Sequence, residues 1–211
     1  MDDRDPRLRV AVLGARRGGA ARVSPTDAVP GRVRWAVEVL DPRRGERVLD
    51  IGSGTGVSVE LVLAALGGAD AASAPRPAVV AIDRSATAVA RIRARAASAV
   101  HRGVVDVRAS SLAALDPDLG PFDAALSVNV NVFWTTDATP ELAALARVLR
   151  AGGRMLLAYG IGPVPLADAG HLDGVAAAIA TTPWFEVRTR LASEHGSAVL
   201  ATRTTAPAPA R

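Results

Sequence analysis

The residues best placed to do chemistry stand in one stretch, 48–56, where Asp50 is followed by Gly52, Ser53, Gly54 and Gly56. Glycine at alternate positions lets a backbone turn sharply and press against a ligand with no Cβ in the way. The apolar residues before the turn, Val48, Leu49 and Ile51, read as a buried strand, and residues 57–66 read as an apolar helix that starts where the glycines end. The first N–H groups of such a helix have no internal partner and face whatever fills the crevice. Spacing separates the ligands this turn could serve. A dinucleotide fingerprint, G-x-G-x-x-G, needs glycine at 57, and Val57 stands there.

Other chemistries find little material. The chain has no cysteine, which excludes disulfides, thiolate metal sites and a cysteine nucleophile. His101, His171 and His195 are scattered, and no carboxylates gather at ligand spacing, so no metal centre is expected. For a general base the candidates are Tyr159, at the end of an apolar run, and His171.

The elements that must position these residues follow from periodicity. Strands are predicted over 48–51, 78–82, 104–108, 122–128, 154–159, 185–191 and 198–204. Helices are predicted over 33–40, 57–66, from Ser85 to about 100, from Thr139 to Gly152-Gly153, and over 166–180. Ser85 is suited to cap the third of these. Thr139-Pro140-Glu141 opens the fourth with proline and then an acid in the first turn. Strands alternating with helices imply a mostly parallel seven-stranded sheet with helices on both faces, and ligands in such sheets bind at the strands' carboxyl ends. The 211 residues suffice for one α/β domain. The expected organisation is an N-terminal arm over 1–29 draped on the surface, a domain over 30–205 and a disordered tail over 206–211.

The pattern D-x-G-x-G-x-G at 50–56 resembles the first motif of class I S-adenosylmethionine (SAM)-dependent methyltransferases. The likeness runs in order through residues 30–160 and more loosely to 203, and it implies a single Rossmann-like, doubly wound domain. It implies a SAM site built on Asp50, Gly52, Ser53, Gly54 and Gly56. Asp83 falls where the family places an acid that accepts from both ribose hydroxyls, with Arg84 beside the adenine ring. Ser110 and Ser111 stand where the family often has Gly-Asp. This departure puts a neutral acceptor, or the Leu112 N–H, at the adenine edge. Phe122 to Asn129 resembles the fourth motif, with Asn129 beneath the methionine part of the cofactor. The sequence 129–134 is not the N-P-P-Y signature of amino-group methylation on bases. Phe133 and Trp134 could wall the substrate pocket or pack in the core.

The expected activity is methyl transfer from SAM to a small molecule, with S-adenosyl-L-homocysteine (SAH) as product. Alternatives are an rRNA or tRNA methyltransferase and a SAM-binding scaffold without catalysis. All 25 basic residues are arginine and the net charge is only +4, which gives a nucleic-acid partner little support. There are only seven aromatic residues, and they form no stripe on which bases could stack. No apolar run is long enough to span a membrane, and the charged N-terminus lacks a signal-peptide core, so a cytoplasmic enzyme is expected. The substrate pocket would be open, or completed by the arm or by a second subunit in a homodimer.

Overall fold

The computed structural model describes residues 10–12, 29–68, 71, 76–160 and 169–210. Its elements in chain order are β1 (Val10–Val12), α1 (Gly31–Leu40), β2 (Val48–Ile51), α2 (Val57–Ala65), β3 (Val79–Asp83), α3 (Ala86–Arg95), α4 (Ala97–His101), β4 (Val105–Ala109), β5 (Phe122–Val128), α5 (Val132–Thr135), α6 (Thr139–Val148), β6 (Leu149–Tyr159), α7 (Ala169–Ala180), β7 (Phe185–Ser193) and β8 (Gly196–Arg203). One sheet holds all the strands in the order β1-β7-β8-β6-β5-β2-β3-β4. Its centre, β6-β5-β2-β3-β4, is parallel, and β8 runs antiparallel to both β6 and β7.

The central strands read as apolar runs because both of their faces are covered, as parallel sheets require. Successive side chains alternate between two apolar layers. Leu49, Val80, Ala125, Met155 and Leu157 pack with Phe133 of α5, Leu142 and Leu145 of α6, and Val175 and Ile179 of α7. Val48, Val79, Ala81, Leu126 and Leu156 pack on the other face with Trp35 and Leu40 of α1, Val59 and Val62 of α2, and Val89 and Ile92 of α3. The Ser85 hydroxyl caps α3 as expected, accepting from the Ala88 N–H at 3.3 Å.

Four expectations need correction. Among the described residues an eighth, edge strand joins the seven expected, because Val10–Val12 pairs in parallel with Arg190–Ala192. This part of the arm is therefore an edge strand and not a surface drape. The remainder of 1–29, up to residue 28, lies outside the described residues, as do 166–168 of the last predicted helix. The β7–β8 hairpin departs from a strictly doubly wound sheet. β6 begins at Leu149, not Arg154: Leu149 pairs with Phe122, and the register then jumps to Ala124–Arg154. Residues 150–153 form the irregularity, with Gly152 at φ 77°, so the glycine pair kinks a strand and does not end a helix. Finally, the tail is tied down at its start. The buried Arg203 donates to the Ala206 carbonyl at 2.8 Å.

Candidate active site

Sheet order reverses between β2 and β5. From β2 the chain winds outward through β3 to β4, then returns to the other side for β5 and β6. A crevice opens at such a switch point, above the strands' carboxyl ends. A cavity of about 450 Å³ occupies it. Its lining comes from four strand ends: Ile51 and Gly52 after β2, Ile82 to Arg84 after β3, Ser110 to Leu112 after β4, and Asn129 to Val132 after β5. Thr135, Thr136 and Glu141 complete it. Seven of the residues singled out for a cofactor meet here: Gly52, Asp83, Arg84, Ser110, Ser111, Leu112 and Asn129. Asp50, Ser53, Gly54 and Gly56 do not line the cavity.

Those four build the turn that shapes it. Gly52, Gly54 and Gly56 adopt φ of 64°, 54° and 80°, a region L side chains enter only with strain. A Cβ on Gly52 would lie 2.5 Å from Val130 Cγ2, so this position is closed to any side chain while Val130 stays in place. The Ser53 hydroxyl donates to the Asp50 carbonyl at 3.0 Å. The Gly54 N–H donates to Asp83 Oδ2 at 3.0 Å, which ties the turn to the end of β3.

Asp50 is buried, and its carboxylate accepts a 2.6 Å hydrogen bond from the Ser58 hydroxyl on α2. It joins the strand to the helix beneath the glycine turn. Burial pushes the Asp50 carboxyl up to about 6, against the hydrogen bond from Ser58, with the Asp83 charge adding to the rise. The folded-state pKa lies above the unfolded one, so folding takes up a proton between about pH 4 and pH 6. Stability contributed by this group is present below that window and is lost as pH rises through it. Two pKa units correspond to about 3 kcal/mol. Asp50→Asn keeps an acceptor for Ser58 and removes the titration. The gap in melting temperature between this variant and wild type should widen in the variant's favour from pH 4 to pH 7. A gap that stays constant across that range would overturn the assignment.

Asp83 lines the cavity with both oxygens already engaged once, by the Gly54 N–H and by the Ser85 N–H at 2.9 Å. A carboxylate has about four lone-pair sites, so it retains capacity to accept from a ligand's hydroxyls. Ser111 is used locally as well: its hydroxyl accepts from the Ala114 N–H at 3.3 Å. Its own proton remains available to the cavity, which makes it a donor toward a ligand more readily than an acceptor.

Asn129 has φ 60°, the left-handed region that asparagine tolerates better than most residues. Its amide Nδ2 donates to the Gly160 carbonyl and its Oδ1 accepts from the Gly160 N–H, both at 2.8 Å. The side chain thus continues the β5–β6 ladder beyond the last strand pair while the backbone turns away over the cavity. This use was invisible in the sequence, because it depends on which backbone lies opposite. Asn129→Ala should destabilise the fold by about 3 kcal/mol, from two hydrogen bonds of about 1 kcal/mol each and 1–2 kcal/mol of left-handed strain. Asn129→Gly relieves the strain and should recover about 1 kcal/mol of that loss. Urea unfolding of the two variants checks the order, and an alanine variant as stable as the glycine variant would show that the strain is not real.

Neither candidate base reaches the cavity wall. Tyr159 is buried, which raises its phenol well above the ordinary range, and its hydroxyl points to the Val130 carbonyl at 3.4 Å. His171 packs against the exposed ring of Trp134, with ring centroids 4.2 Å apart and planes tilted by 55°. Phe133 is a core residue at 1 % exposure. The short helix α5 turns these two aromatics away from the cavity and presents Val132 and Thr135 to it. Val130, Asn131, Val132, Thr135, Thr136 and Glu141 were missed as lining residues. For all but Glu141, which lies in the first turn of α6, the only sequence signal is position just after the carboxyl end of a central strand.

The methyltransferase domain family matches residues 48–153, half of the chain. The chain belongs to this family. The family is that of class I SAM-dependent methyltransferases, and SAM is the methyl donor that membership implies. TrmN from Thermus thermophilus has the same fold at a TM-score of 0.60 and 17 % identity, over 81 % of this chain and 48 % of that one. A SAM-dependent O-methyltransferase from Thermotoga maritima superposes at 0.60 with 15 % identity, over 90 % of this chain and 69 % of its own. A ribosomal protein L11 methylase from Lactobacillus delbrueckii gives 0.55 and 17 %, over 82 % and 77 %. The methyltransferase here therefore spans about half the length of the first of these. No curated protein matches the sequence. Among the described residues no group of histidines and carboxylates could hold a metal, and no helix is long and apolar enough to cross a membrane.

Proposed function

We propose that this methyltransferase transfers a methyl group from SAM to a small-molecule acceptor, with the donor lying along the carboxyl ends of β4, β3, β2 and β5. The observation that carries this reading is the single cavity wall drawn from those four strand ends. The residues fit the donor. Gly52 offers a surface with no Cβ, Asp83 offers spare acceptor capacity for vicinal hydroxyls, and Ser111 and Leu112 offer a polar edge beside an apolar side chain for a heterocycle. The bound donor supplies an activated sulfonium methyl.

The chain's own work is positioning. The Asn129–Gly160 pair fixes the floor between β5 and β6, and the glycine turn held by Asp83 fixes the opposite side. Holding two reactants in line is worth about 7–11 kcal/mol at best, so catalysis does not require a strong base from this protein. That fits a wall on which neither Tyr159 nor His171 appears. The test uses SAM carrying a deuterated methyl and a cell extract separated into low-mass, RNA and protein fractions. Label is expected in the low-mass fraction, unchanged by nuclease. Label in RNA or protein would replace the small-molecule reading, and SAM binding with no transfer to any fraction would support a scaffold without catalysis.

A further inference from the structure

We propose that the acceptor is a cationic amine, recognised by Glu141 on the wall that residues 129–141 add to the cavity. The inference rests on the transferase reading above. It starts from the hydrogen-bonding capacity of that wall. The Thr135 hydroxyl donates to the Asn131 carbonyl at 2.9 Å, and the Thr136 hydroxyl donates to the Val132 carbonyl at 3.0 Å. A hydroxyl has one proton, so both threonines can offer a ligand only lone pairs. Glu141, half-buried on the same wall, adds a carboxylate. Three side chains that can only accept stand together here.

Beyond complementing the α6 dipole as a first-turn acid, Glu141 makes no hydrogen bond or ion pair among the described residues. An acid in the first turn of a helix often reaches back to the N–H at the helix start. In α6 that start is served by Asp137, whose Oδ1 accepts from the Thr139 N–H at 3.0 Å, and Pro140 has no N–H. Among the described residues Glu141 enters no ion pair. The one basic residue on the cavity lining among the described residues is Arg84. It follows β3, which is two strand spacings from β5, about 10 Å across the sheet. An ammonium group complements such a wall, since it carries three donors, no acceptor and a positive charge. The opposite choice, an acidic acceptor, would set like charges together.

Proton and charge balance suits an amine. The ammonium form binds and gives one proton to water at the cavity mouth. The nitrogen lone pair then forms the bond to the methyl carbon, and the carbon–sulfur pair stays on sulfur as a thioether. The nitrogen is cationic before deprotonation and again in the product, so a fixed carboxylate favours both the bound acceptor and the charge that develops during transfer.

The test separates a metabolite extract on a cation exchanger at pH 5 into retained amines and an unretained fraction, and treats each with the deuterated-methyl donor. Wild type should label the retained fraction, with the label on nitrogen by mass fragmentation. Glu141→Gln should lower that labelling by about 10–100-fold, the range for losing a charged hydrogen-bond partner. Its affinity for SAH, measured by calorimetry, should be unchanged. Should Glu141→Gln fail to fold, Thr135→Val, which removes one acceptor with little change in shape, should lower amine labelling several-fold and leave SAH binding intact. Label confined to the unretained fraction overturns the proposal. So does equal labelling by the variant, or a loss of SAH affinity, which would place Glu141 against the cofactor. SAH binding with no label in either fraction defeats the transferase reading and this one with it.

Discussion

Gly52→Ala should leave a folded protein whose affinity for SAM is sharply reduced. Two separate physical effects act at this residue. Its φ of 64° costs an L side chain about 1–3 kcal/mol. The added methyl would also sit 2.5 Å from Val130 Cγ2, and relieving that overlap pushes Val130 further into the cavity. The first effect falls on stability, and the second on the ligand. Overpacking of this kind costs about 1–3 kcal/mol, so SAM affinity should fall by roughly 10–100-fold at 1.4 kcal/mol per factor of ten. Gly45→Ala is the control. It carries the same strain, at φ 83°, with nothing within 4 Å of the added methyl, and it is remote from the cavity lining. It should lower the melting temperature and leave SAM affinity alone. Removing the obstructing methyls with Val130→Ala in the Gly52→Ala background should restore much of the binding. If calorimetry showed equal losses for Gly45→Ala and Gly52→Ala, or no rescue, the cavity would not be the cofactor site.

The sequence made the scaffold readable and left the far wall of the site obscure, for one physical reason. β2 and β3 are buried on both faces, so their residues are apolar by necessity, and glycine is demanded wherever φ is positive next to them. Those constraints are local and survive in the residue types. The strand ends after β2, β3 and β4 inherit that clarity, and it is the resemblance to class I methyltransferases that assigns Gly52, Asp83 and Ser111 to one crevice, whose lining all three join. The stretch after β5 is decided by contacts distant in sequence. Asn129 is committed to Gly160, 31 residues on, and nothing in the local pattern announces it. The single-turn helix α5 sets which of four adjacent side chains faces the cavity, and a helix of four residues is too short for its periodicity to be read. Phe133 and Trp134 drew attention as large aromatics, yet Thr135 and Thr136 line the cavity. The edge strand Val10–Val12 was missed for a related reason: three apolar residues carry no alternation, and only the exposed edge of β7 makes them a strand.

Asp83→Asn should weaken SAM and SAH alike by about 10–100-fold, because both ligands carry the same ribose and a hydrogen bond to a charged acceptor is worth about 1.5–3 kcal/mol. The structure gives Asp83 a second duty that a simple affinity measurement would confuse with the first. Its two oxygens hold the Gly54 and Ser85 N–H groups, so an amide in its place would turn an NH₂ toward one of those donors and loosen the glycine turn. A cycle separates the two duties. Wild type and Asp83→Asn are each titrated with SAH and with SAH lacking both ribose hydroxyls. If the carboxylate holds the ribose, removing the hydroxyls costs wild type most of the binding that the mutation costs, and costs the variant little. If Asp83 only props the turn, the hydroxyls are worth the same in both proteins, and the two losses add. Near-complete coupling is the expected result, since Asp83 lines the cavity and keeps lone pairs that no backbone group takes. Additive losses would leave the glycine turn as the sole function of Asp83 and move the ribose contact elsewhere on the wall.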